Sequence, residues 1–223
     1  MRVGFISVGY MGYGIAKNLI KHGHKLFVVA NKNRVPIDKI VYDGAEESKD
    51  ILDLCSNDLD ALFLCVTNTP IAISIAEKLS DLLTSKTLII DITTHNQNGS
   101  IDMAKVFAKN DISYVECPVM GGPVQAEEGV LGGIVGASQE NFKKAESYFK
   151  HFCKDYFHFG EVGAGAKSKL LNNFLSIGTA TLVIELIKSA KKMDINLEKL
   201  FSVAKLGSGN SAALNRIFDK VLQ

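Results

Sequence analysis

Short runs of Val, Ile and Leu alternate with amphipathic stretches from the N-terminus to about residue 160, and no other feature of the 223-residue chain restricts its fold so far. Residues 2–8, 25–30, 61–66, 87–92 and 113–116 read as strands, the central ones apolar throughout. A strand without polar alternation is covered on both faces, as in a parallel sheet layered between helices. Between the strands, 11–22 places Met11, Ile15, Leu19 and Ile20 on one helical face and stops at Gly23. Pro36 opens a short helix and Pro70 opens 71–83, since proline is tolerated in a first turn. Residues 98–109 and 139–150 supply two more helical patterns. Strands alternating with helices through right-handed crossovers make a doubly wound α/β domain, here residues 1–162.

Beyond that the character changes. Residues 163–193 contain no proline and read as one helix of about 28 residues, roughly 42 Å long. Its middle, 174–187, carries Glu185 as its one charge and is apolar nearly all round, so burial on several sides is expected. Residues 194–223, one or two short helices, are too few to cover it. The expectation is a small all-α C-terminal domain, 163–223, whose long interdomain helix packs against the first domain and a second subunit, in a homodimer or homotetramer.

Composition narrows the function. With 25 Lys+Arg against 24 Asp+Glu, the chain lacks the basic excess of a protein built to neutralise nucleic-acid phosphate. No unbroken apolar run reaches the roughly 18 residues of a membrane span, and the N-terminus starts as a strand without a signal-peptide pattern. A soluble, cytoplasmic protein without a membrane partner is expected. Cys55, Cys65, Cys117 and Cys153 form no C-x-x-C pair, and the five histidines show no ligand spacing, so free thiols and no metal are expected.

Ser7-Val8-Gly9-Tyr10-Met11-Gly12 lies where the first strand turns into the first helix. It is the dinucleotide fingerprint G-x-G-x-x-G with Ser in the first slot. Gly9 lets backbone approach a pyrophosphate, Gly12 lets helix and strand pack closely, and free amides at the helix N-terminus face the anion. At the end of the second strand, NAD-selective sites place a carboxylate on the ribose 2′-hydroxyl. This chain has Asn31 there, with Lys32 and Arg34 as partners for a 2′-phosphate, so NADP is preferred and NAD remains an alternative. Val66 and Thr67, at the end of the 61–66 strand, complete the expected cofactor set together with Thr94.

Two later segments carry the substrate chemistry. In Glu116-Cys117-Pro118-Val119-Met120-Gly121-Gly122-Pro123, adjacent glycines expose backbone amides able to hold a carboxylate. In the segment 160–173, Lys169 and Asn173 stand at i and i+4 and share one face of the long helix. A lysine shielded from water has a lowered pKa suited to acid-base work.

Together with the N-terminal fingerprint, these segments resemble the β-hydroxyacid dehydrogenase family, which includes 3-hydroxyisobutyrate dehydrogenases, tartronate semialdehyde reductases and glyoxylate/succinic semialdehyde reductases. The resemblance covers essentially the whole chain. It implies a Rossmann-type fold and reversible hydride transfer between a nicotinamide and a small 3-hydroxy acid or its semialdehyde. By the resemblance Lys169 is the proton donor to the developing alkoxide and Asn173 holds that oxygen. Met120, Gly121 and Gly122 form the substrate loop, and Asp91-Ile92-Thr93-Thr94 matches the family's D-x-S-T segment beside the nicotinamide. Gly207-Ser208-Gly209-Asn210-Ser211 resembles, less closely, a later loop that helps close the site. The departures are Ser7 for glycine and Met120 for the serine whose hydroxyl helps bind the substrate carboxylate, a hydrogen bond worth about 1.5–3 kcal/mol. Family members also continue with further helices, so a shortened chain or a reduced C-terminal domain is expected. Two competing readings stay open, a catalytically silent NADP-binding or oligomerising module and an imine reductase.

Overall fold

Six strands, β1 (Arg2–Ile6), β2 (Lys25–Val29), β3 (Glu46–Ser48), β4 (Ala61–Leu64), β5 (Leu88–Asp91) and β6 (Ser113–Glu116), pair in parallel in the order β3-β2-β1-β4-β5-β6. This computed structural model describes residues 1–30 and 33–222. Helices α1 (Tyr10–Lys21), α2 (Val35–Tyr42), α3 (Ile51–Cys55), α4 (Thr69–Ser80) and α5 (Gln97–Ala108) make the crossovers. The strand order reverses between β1 and β4, and the crevice beyond their carboxyl ends is where such sheets bind ligands.

Alternation of side chains along each strand divides the core in two. Phe5, Phe63, Ile90 and Val115 pack with Ile15 and Leu19 of α1 on one face, while Leu62, Leu64 and Ile89 pack with Ala76 of α4 and Phe107 of α5 on the other. Asn68 and Asn96 accept the amides of Ile71 and Gly99 and so fix the starts of α4 and α5. The strands are shorter than their apolar runs. β1 ends at Ile6 because Ser7 turns into the left-handed region with φ +72°.

A second sheet was not foreseen. β7 (Val119–Met120), β8 (Leu131–Val135) and β9 (Cys153–His158) pair in that order, β7 antiparallel and β9 parallel to β8, with α6 (Pro123–Glu128) and α7 (Gln139–Phe149) between them. Its sequence hides it. β8 carries Gly132 and Gly133, and a Cβ on Gly133 would lie 2.9 Å from that of Tyr156 on β9, so close strand approach replaces a β-branched side chain.

Helix α8 (Ala164–Lys192) follows, then α9 (Leu197–Leu206) and α10 (Ala212–Leu222). The chain divides into two compact units, Met1–Lys169 and Leu170–Gln223. Within the second, Val183 and Ile187 of α8 pack with Leu214 and Phe218 of α10, and Phe201 of α9 stacks on Phe218 at 4.7 Å. The expected burial of the middle of α8 is not met by the chain itself, since Phe174 is 82% exposed and Leu175 and Leu182 are also open. The expectation of no membrane-length segment also needs correction. By length and composition α8 is long and apolar enough to cross a membrane, because Asn172, Asn173, Ser176, Thr179 and Thr181 break the apolar run without making the helix polar on average.

Candidate active site

The turn from β1 to α1 is built as its sequence requires. Ser7 adopts φ +72° and its carbonyl accepts the Gly9 amide at 2.9 Å. A Cβ on Gly12 would stand 2.6 Å from the Ser7 carbonyl oxygen, so the helix can start this close to the strand only with glycine there. A Cβ on Gly9 would meet nothing within 4 Å, and no side chain caps the first amides of α1. Open space in front of uncapped amides, at the positive end of a helix, suits a phosphate group. A cleft of about 230 Å³ runs from Ser7 and Gly9 past Val29 to Asn33 and Pro36, and one of about 310 Å³ shares Gly9 and Asn33 and reaches Tyr13 and Lys39. Both clefts meet at Gly9, where the uncapped amides would hold the pyrophosphate of a dinucleotide.

The cations differ from expectation. Arg34 is bound at 2.5 and 3.0 Å to the two carboxylate oxygens of Glu47 and at 2.8 Å to Asp38, which holds its pKa above the ordinary arginine value. Its fork is already occupied, so a 2′-phosphate would have to compete for it. Asn31 and Lys32 lie outside the described residues. Lys39, which the sequence reading passed over, lies with its ammonium 3.9 Å from the centre of the Tyr13 ring and lines the larger cleft. A helix lysine carries no signal of such a role until the turn beside it is folded.

At the ends of β4 and β5, Thr93 is buried and its hydroxyl accepts the Val66 amide at 3.1 Å, while Thr67 and Thr94 are exposed. Beneath them lies a network that sequence reasoning did not assign. The buried Asp91 carboxylate accepts the Thr93 amide (2.9 Å) and the Tyr114 hydroxyl (3.0 Å), and meets His95 Nε2 at 2.9 Å. With Nε2–H given to Asp91, His95 Nδ1 is left to accept the Thr69 hydroxyl at 2.8 Å. Burial, and then the Asp91 charge, push the Tyr114 hydroxyl well above its usual pKa. The network ties the segment 65–69 to the end of β5 and leaves Thr67 and Thr94 open to a ligand.

Lys169 lies in the second turn of α8. Its ammonium donates to the Val119 carbonyl at 2.8 Å and stands 3.2 Å from Met120 Sδ. Burial lowers its pKa below the ordinary lysine value. An ammonium has three donors, so with one on a carbonyl and one on a weak thioether acceptor, a third N–H is available. Gly121 has φ +122°, a conformation that favours glycine. Gly122, expected to offer its amide, donates it to Gln125 Oε1 at 2.9 Å, because Gln125 folds back over the start of α6. An incoming carboxylate would have to displace that contact. Asn173 belongs to the second unit, one turn along α8, and is half-buried. Residues 207–211 join α9 to α10. Among the described residues no group of three His, Cys, Asp or Glu side chains is placed to hold a metal ion.

Residues 2–160 match the family model for the NAD binding domain of 6-phosphogluconate dehydrogenase. A 2-(hydroxymethyl)glutarate dehydrogenase of Eubacterium barkeri is 28% identical over all of this chain and 74% of its own length. A 3-hydroxyisobutyrate dehydrogenase of Pseudomonas aeruginosa is 27% identical over 96% of this chain and 72% of its own. Relatives of the second kind from Dictyostelium discoideum and Drosophila melanogaster are spanned over 64% and 57% of their length. Among solved structures, Psf3 in complex with NADP+ and 2-OPP superposes with a TM-score of 0.88 at 26% identity, covering 99% of this chain and 78% of that one. With its parallel sheet, its uncapped fingerprint turn and its long helix bearing Lys169, the chain belongs to the β-hydroxyacid dehydrogenase family of NAD(P)-dependent oxidoreductases.

Proposed function

We propose that the protein interconverts a short 3-hydroxy acid and its semialdehyde, with Lys169 as the acid-base residue and NADP(H) preferred over NAD(H). The observation that carries this reading is the Lys169 ammonium, half-buried, fixed on the Val119 carbonyl and left with a donor to spare. The coenzyme supplies or accepts the hydride when bound. The amides at the start of α1 hold its pyrophosphate, Val66, Thr67 and Thr94 border the nicotinamide, and Lys39 joins the expected cations near the adenosine ribose. In reduction, Lys169 gives a proton to the substrate oxygen as that oxygen gains negative charge, and Asn173, four residues on along the helix, orients it. Lysine near Met120 holds the substrate through charge where a serine hydroxyl would have added a hydrogen bond.

The test is turnover of NADPH and NADH with a panel of semialdehydes, glyoxylate and a cyclic imine. Lys169→Ala is expected to lower kcat by about 10²–10⁴-fold, the usual range for a general acid. Retention of most turnover in that variant overturns the assignment. The sign of the pH dependence follows from burial. Reduction needs the ammonium, and a lowered pKa means the proton is lost earlier as pH rises, so the basic limb of kcat should fall below the ordinary lysine range. We further propose a homodimer or homotetramer, in which a second copy covers the open apolar face of α8.

A further inference from the structure

Glu116 ends β6 with its carboxyl group buried, and the proposed reaction does not use it. Its Oε1 accepts the amides of Gly163 at 2.6 Å and Gly165 at 2.9 Å, at the very start of α8. The fit admits no other side chains. A Cβ on Gly136 would overlap Oε1, and one on Gly165 would stand 2.9 Å from both the Gly136 amide nitrogen and the Ile134 carbonyl oxygen. The backbone of Glu116 is itself pinned to Gly136 by two hydrogen bonds, at 3.1 and 3.0 Å. Burial raises the carboxyl pKa, while the Ser100 hydroxyl beside it and the three helix-start amides lower it. Oε2 and Ser100 Oγ close no hydrogen bond of good geometry.

A buried carboxyl group is expensive to keep, and a strand end needs none. Here it bridges the two segments that also meet through Lys169. Val119, which accepts the ammonium, lies three residues after Glu116, and Lys169 lies four residues after Gly165. Carboxyl group and ammonium are therefore two adjacent ties between the segment 116–119, where β6 passes into β7, and the start of α8. We propose that Glu116 is a positioning residue that sets the height of α8 against the substrate loop, so that the Lys169 ammonium stays seated on Val119 and shielded from water. This rests on the reading of Lys169 as the acid-base residue.

The experiment follows the Lys169 titration directly, by ¹³C NMR of the intact protein carrying lysine labelled at Cε, with the resonance assigned by its loss in Lys169→Arg. Glu116→Asp withdraws the carboxylate by one methylene. It is expected to bring the Lys169 pKa back toward the ordinary lysine value and to lower kcat on the order of 10–100-fold, the cost of a misplacement near 1 Å. KM for NADPH should stay within about 2-fold, because the fingerprint turn is untouched. Glu116→Gln keeps an oxygen at the same reach and should restore most of both. A Glu116→Asp protein whose Lys169 titration and kcat match the parent overturns the proposal, even if it melts earlier. If the lysine responds as expected but no substrate turns over in any variant, the positioning role stands and the dehydrogenase reading fails.

Discussion

The two units treat their apolar side chains in opposite ways. In Met1–Lys169, Phe5, Phe63, Phe149 and Phe152 are fully buried, because helices cover both faces of a six-stranded sheet and a second sheet closes one end. In Leu170–Gln223, Val183, Ile187, Leu214 and Phe218 form the buried cluster, while Leu171 and Phe174 on α8 stand 72% and 82% exposed. The surface that a fold encloses grows with its size and its number of layers, and the short helices α9 and α10 do not wrap a long helix that is apolar nearly all round. The second unit therefore carries on its surface the kind of residues that the first unit puts in its core.

Truncation to alanine gives the largest test of that contrast. Phe63 stacks on Phe5 at 5.5 Å and meets Tyr148 and Phe152 edge-on. Phe63→Ala should cost about 3–5 kcal/mol in urea unfolding. If the Phe174 side chain stays open in solution, Phe174→Ala should shift stability by less than about 0.5 kcal/mol. If a second copy covers it, Phe174→Ser should forfeit about 2 kcal/mol of association and lower the mass measured by sedimentation at a fixed concentration. A parent protein that sediments as a monomer would break the oligomer proposal.

This contrast also explains what the sequence discloses. The parallel sheet is legible because residues 61–64 and 88–90 are apolar throughout, a pattern imposed by cover on both faces. The second sheet is not, because β8 relies on Gly132 and Gly133, and β9 exposes Lys154 and Asp155. Lys169 is legible from its segment. Its seat is not, since the Val119 carbonyl lies 50 residues away and is named by no side chain. The same holds for Arg34, whose open sequence context gives no hint of Glu47. For Glu116, local sequence shows an ordinary strand end, and its two amides come 47 and 49 residues later.

Titration separates the units next, because all five histidines belong to the first. His24 is buried against Tyr148, its Nε2 lies 3.0 Å from His151 Nδ1, and His22 stacks on His151 at 4.4 Å. Burial above all, then the positive charges of His151, the N-terminus and His22, lower the His24 pKa from 6.5 to about 4, with Asp60 alone opposing them. Burial, His22 and Lys150 lower His151 as well. The folded state thus binds fewer protons than the unfolded one between about pH 6.5 and 4, so stability is full above that window and is lost as pH falls through it. The loss should be on the order of 2 kcal/mol and should be smaller in His24→Gln, by urea midpoints at pH 7 and 4.5. Equal slopes for parent and variant would remove His24 as the cause.

The smallest effect concerns backbone strain, and here too the units differ. The first unit holds Ser7 at φ +72° along with Asp58 and Asp111 at positive φ, and the second holds Asp194 at +53°. Aspartate tolerates the left-handed region because its short side chain bonds locally, whereas serine gains less from doing so. The strain at Ser7 amounts to about 1–2 kcal/mol, part of which glycine would give back through the greater entropy of its unfolded chain. Ser7→Gly should therefore stabilise the protein by less than about 1 kcal/mol, and Asp194→Gly by close to nothing. Thermal midpoints of the two variants test this. If Ser7→Gly melts earlier than the parent, the serine side chain contributes more at the nucleotide turn than its backbone costs, and the departure from glycine is then a stabilising feature of the fingerprint.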